Sequence, residues 1–133
     1  MLSRMLSITA VAAGLGLGSA GTARAQGMPA MQHPKGTQRT LTGTVIDVSC
    51  KFGQGLTGDQ HRMCAQICAD KGIPLAILTS DGKLYIPTSP AMPGDGQNGR
   101  LKEFAEQQVT VTGTVFPAGG ANAIQIASIE RKS

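Results

Sequence analysis

Residues 40–48, TLTGTVIDV, and residues 109–115, VTVTGTV, decide the fold. Both are dominated by β-branched side chains that pack well on a pleated surface, and in the second the valines at 109, 111 and 115 alternate with threonines at 110, 112 and 114. The tetrapeptide Thr-Gly-Thr-Val occurs in each, at 42–45 and at 112–115, which predicts similar glycine-centred bends or close approaches in two long strands.

Working outward, the run Leu75-Ala76-Ile77-Leu78 and the alternating Lys83-Leu84-Tyr85-Ile86 flank Asp81-Gly82, the signature of a two-residue hairpin loop. Ile124, Ile126 and Ile129 form a last strand, whose change of parity after Ile126 predicts a bulge. Leu101, Phe104 and Ala105 have the spacing of a short helix. A longer helix is expected over Thr57 to Lys71, opened by a capping box of Thr57 with Gln60 and stopped by Gly72 and Pro74. Met63 and Met92 read as core fillers. The sum is a mostly β chain: a small five-stranded OB-like barrel, with a helix inserted after the first strand and a second short helix.

The segment before the barrel is of a different kind. Arg4, the mildly apolar run from Met5 to Gly18 and Ala23-Arg24-Ala25 match a signal peptide over residues 1–25, so the chain is expected to be periplasmic or secreted. The apolar run falls short of the roughly 20 residues a membrane helix needs, and no membrane span is expected after leader cleavage. Residues 26–38 carry Gly, Pro and polar residues without periodicity and read as a flexible tail, leaving 39–133 as the domain. Met28, Met31 and His33 give that tail a loose thioether and imidazole set of a kind that captures copper, although an ordinary solvated tail has the same composition. The whole chain has a formal charge of +4, and Arg4 and Arg24 supply two of those charges. What remains is too little and too scattered for a nucleic-acid partner, and with Tyr85, Phe52, Phe104 and Phe116 as the whole aromatic set, base stacking is poorly provided for.

Cys50, His61, Cys64 and Cys68 are all the cysteines and one of the two histidines, in the spacing C-x10-H-x2-C-x3-C. At about 100° per residue, His61, Cys64 and Cys68 share one helix face, and the glycine-rich link from Gly53 to Gly58 would let Cys50, at the end of the first strand, fold back onto it. Thiolates and imidazole suit Cu(I) and Zn(II), so the four are candidate ligands of a copper or zinc ion. The competing reading starts from the oxidising compartment. A disulfide from Cys50 to Cys64 or Cys68 would close a loop of about 14 to 18 residues and stabilise by roughly 3 kcal/mol, and a Cys64–Cys68 bridge one turn apart is also feasible. The protein would then be a disulfide-stabilised OB-like module whose groove takes a small ligand or another envelope protein. The odd cysteine count and the histidine on the cysteine face favour the metal.

The run GTVIDVSC at 43–50, H-x-x-C-x-x-x-C at 61–68, GIPLAILTSDGKLYIP at 72–87 and VTVTGTV at 109–115 together resemble a group of small exported bacterial proteins with an OB-like domain and a cysteine-rich helix. That resemblance implies the fold and export, and brings no catalytic residues. No redox CxxC, haem CxxCH or phosphate-binding glycine motif is present, and His61 lacks an evident orienting acid for nucleophilic catalysis. A non-enzymatic protein is expected.

Overall fold

The computed structural model describes residues 34–133. The expected leader, and Met28, Met31 and His33 of the expected tail, lie outside the described residues.

Five strands close into a barrel in the order β1-β2-β3-β5-β4, with β4 returning to β1. They are β1 (Thr37–Asp47), β2 (Leu75–Thr79), β3 (Leu84–Pro87), β4 (Gln108–Ala118) and β5 (Ala121–Arg131). All neighbours are antiparallel except β3 and β5. This is the five-stranded OB-like barrel that the strand pattern predicts. β1 begins at Thr37, so the barrel takes in the last two residues of the segment read as a tail.

The two Thr-Gly-Thr-Val glycines act as the sequence suggests. Gly43 pairs with Thr79 of β2 and with Val109 of β4, at the point where β1 passes from one neighbour to the other. A Cβ there would collide with Ile77 and the Leu78 carbonyl. At Gly113 the Gln125 carbonyl occupies the place of a Cβ. The ladder slips there, with Thr112 opposite Ser128 but Gly113 opposite Ile126, which leaves Ala127 as the bulged residue. Inward positions Val45, Ile77, Val109, Val111 and Ile124 are fully buried, and Leu101 joins them in the core.

The β2–β3 loop has three residues, Ser80-Asp81-Gly82, and not two. Thr79 N–H donates to the Lys83 carbonyl and Gly82 N–H to the Thr79 carbonyl, so Gly82 takes the left-handed conformation at φ 80°. The short helix is present as α3 (Asn98–Leu101) followed by a 3-10 turn over Lys102–Phe104.

Between β1 and β2 the structure departs from expectation. A helix α1 (Val48–Gln54) replaces the end of the first strand and the first two residues, Gly53 and Gln54, of the supposed flexible link. Val48 continues the β-branched run and hides this start, but Asp47 caps the helix through its side chain and Gly55 ends it at φ 69°. The longer helix begins later than the capping box implies, with a 3-10 turn (Asp59–His61) leading into α2 (Arg62–Asp70). Thr57 does not cap it, because its hydroxyl donates to Glu106. The stop signal holds: Ile73 N–H donates to Cys68 and Gly72 N–H to Ala69, a Schellman motif with Gly72 at φ 91°.

The methionines correct another expectation. Met63 and Met92 are 72% and 84% exposed. α2 meets the barrel through Ala65 and Ala69, one turn apart, which allows close approach and turns Met63 toward solvent. No helix among the described residues is long and apolar enough to cross a membrane.

Candidate metal centre

The centre forms where β1 turns into α1. Asp47, fully buried, is the last residue of the strand and the N-cap of the helix. Its Oδ1 accepts the Cys50 N–H at 2.9 Å, which fixes the first turn and brings the Cys50 thiol inward. α2 packs alongside and contributes Cys64, exposed, and Cys68, half-buried, from successive turns. The 3-10 turn before it delivers His61, buried.

The sulfurs of Cys50, Cys64 and Cys68 lie within 4.8 Å of one another. A second triad, within the same limit, joins a donor atom each from Asp47, Cys50 and His61. The four expected ligands do not form one set: Cys64 and Cys68 join Cys50 in three sulfurs toward the surface, while His61, which leaves from the 3-10 turn and not from the cysteine face of α2, joins Cys50 and Asp47 inside. All three cysteines are free.

Spacing in the sequence gave no hint of Glu106, 45 positions from His61. Its fully buried carboxylate accepts from His61 Nδ1 at 2.9 Å, the Gly58 N–H at 2.8 Å and the Thr57 hydroxyl at 3.0 Å. Those contacts satisfy a buried charge and set it at the N-terminal end of the turn that leads into α2. Glu106 is also the one non-glycine residue with positive φ, 59°, among the described residues. Its N–H donates to the Val45 carbonyl at 2.7 Å, and Gln107 N–H donates to Phe104, which hold the backbone in that unfavourable region.

The carboxylate assigns the imidazole its tautomer. With Nδ1 donating to Glu106, Nε2 of the neutral ring carries the lone pair that remains to accept or to bind a cation. Carboxylate, imidazole and a vacant nitrogen in line are the outer-shell arrangement that orients a metal-binding histidine. His61 Nε2 and Asp47 Oδ2 are the two buried side-chain nitrogen or oxygen atoms, among the described residues, that have no hydrogen-bond partner. Such atoms are costly in a folded interior, and a cation shared between them removes the cost.

Two of the thiols, Cys50 and Cys68, hold their protons more tightly than a free cysteine does. The neighbouring Asp47 carboxylate, followed by burial and the Cys64 sulfur, pushes the Cys68 pKa up to about 12. Burial, followed by the same carboxylate, raises that of Cys50. A metal ion entering here must displace these protons and would replace them as the positive partner of Asp47. Asp47 itself carries a signal that the sequence reading missed: it lies three residues before Cys50, the spacing of an N-cap to the first turn of a helix.

No protein-family model matches the chain, and comparisons with curated proteins and with solved structures find no match.

Proposed function

We propose that this is an exported, non-enzymatic protein that binds a soft metal ion, Cu(I) or Zn(II), on the thiolates of Cys50, Cys64 and Cys68, with His61 on the buried side. The observation that carries the reading is the convergence of three sulfurs from two helices within 4.8 Å. Three thiolates are a set that selects Cu(I) or Zn(II) over magnesium or calcium. Exposure of Cys64 leaves one ligand accessible from outside, which suits uptake and release of the ion. The periplasm or the extracellular space as the place of action follows from the leader-like residues 1–25.

The test is metal analysis, with a thiol count, on protein isolated from the compartment where it accumulates. The reading predicts copper or zinc bound in the native protein, and three titratable thiols once the metal is removed under anaerobic conditions. One thiol and no metal would contradict it and establish instead a disulfide-tied module. For that module the binding surface would be the cleft of about 370 Å³ lined by Thr42, Thr44, Lys51, Ser80 and Lys132.

A further inference from the structure

Five donor atoms converge around Cys50, and one tetrahedral ion takes four ligands. A single ion on three cysteines and His61 would leave Asp47 Oδ2 buried without a partner. An ion on the inner triad alone would leave Cys64 and Cys68 unused. We propose that the centre holds two ions: an outer soft ion on Cys50, Cys64 and Cys68, and an inner divalent ion of borderline character, such as Zn(II), on Asp47, Cys50 and His61, with the Cys50 thiolate bridging them. The inner site extends the metal-binding reading given above.

Three observations carry the inner site. Its two non-sulfur residues, Asp47 and His61, each place a donor atom in the triad, and each also carries a buried atom, Oδ2 and Nε2, that lacks a hydrogen-bond partner. Glu106 holds His61 by Nδ1, so that Nε2 is the nitrogen offered. Asp47 commits Oδ1 to its helix cap, and Oδ2 meets no partner at hydrogen-bonding geometry, although the Cys50 and Cys68 thiols that an ion would deprotonate lie against the same carboxylate. In a tetrahedral zinc site two sulfurs stand about 3.8 Å apart and a nitrogen–oxygen pair about 3.3 Å, so triads whose donors lie within 4.8 Å of one another need to contract by at most about 1 to 1.5 Å, within reach of side-chain rotation. Charge points the same way. Asp47 and three thiolates carry four negative charges, which two divalent ions neutralise and one leaves half uncompensated in a partly buried place. An oxygen, nitrogen and sulfur set accommodates Zn(II), whereas the three-sulfur set outside also accepts Cu(I).

The experiment titrates the reduced full chain with Zn(II) and counts bound ions by native mass spectrometry, with Co(II) substitution reporting thiolate coordination through its charge-transfer absorption. Wild type is expected to bind two Zn(II). Asp47→Asn, which keeps the helix cap, and His61→Gln should each bind one and retain the Co(II)–thiolate absorption. The double variant Cys64→Ser/Cys68→Ser should also bind one. Circular dichroism establishes that each variant is folded, and two independent inner-site variants guard against loss of either. A wild-type count of one that Asp47→Asn leaves unchanged would overturn the second site while keeping metal binding. Two ions in wild type and in both inner-site variants would overturn the ligand assignment. No bound ion in wild type would overturn both readings.

Discussion

At the scale of single residues, the centre depends on a carboxylate that would touch no metal. Glu106 accepts three hydrogen bonds, one of them from His61 Nδ1, and keeps a strained backbone to do so. Glu106→Gln keeps the shape but replaces one acceptor oxygen by a donor that faces donors. It is expected to weaken Zn(II) binding by about 10- to 100-fold, as loss of an outer-shell partner typically does. Competition against a chromophoric chelator checks this, and an unchanged affinity would show that His61 is positioned by something else. The approach of Cys64 and Cys68 was legible in the sequence because helix periodicity is local, whereas Cys50 comes from a helix read as a strand end and His61 from a 3-10 turn that sets it with Asp47 instead of the other two sulfurs. Glu106 was not legible. In the run Ala105-Glu106-Gln107-Gln108 it reads as ordinary solvated surface, and only closure of the barrel brings it to the turn ahead of α2.

At the scale of elements, strands were easier to read than the insertion. Valines alternating with threonines in β4 and the isoleucines of β5 announce themselves, and both marked glycines fall where another backbone comes close. α1 was hidden because Val48 prolongs a strand-like run, while its start depends on the single Asp47 cap. The Thr57–Gln60 capping box failed because a distant carboxylate took the Thr57 hydroxyl. The β2–β3 turn carries its own ion pair, Lys83 Nζ to Asp81 at 2.8 Å. Lys83, followed by the Thr79 hydroxyl, lowers the Asp81 pKa to about 2 from 3.8. A carboxyl with a depressed folded-state pKa stabilises fully above the unfolded value, and that contribution is lost as pH falls from about 4 toward 2. Both side chains are more than half exposed, so the effect is small and salt-sensitive. Asp81→Asn should therefore lower the melting temperature slightly at pH 7 and not at pH 2. Equal shifts at both pH values would mean that the ion pair contributes nothing.

At the scale of the whole molecule, the barrel is a frame and the chemistry sits in the segment inserted between β1 and β2. β1 ends in Asp47 and Cys50 follows at once in α1, while the loop before β4 supplies Glu106, so closing the β1–β4 ladder assembles the inner triad with its support. The hydrogen bonds from Glu106 N–H to Val45 and from Val45 N–H to Gln107 tie the two regions directly. Metal binding should accordingly stabilise the folded chain, since the unfolded chain does not present these donors together. The most direct test is X-ray absorption at the metal edge of the zinc- or copper-loaded protein. A shell of sulfur scatterers at about 2.3 Å from the ion is the predicted result. A first shell made of nitrogen and oxygen alone would contradict a centre built on Cys50, Cys64 and Cys68.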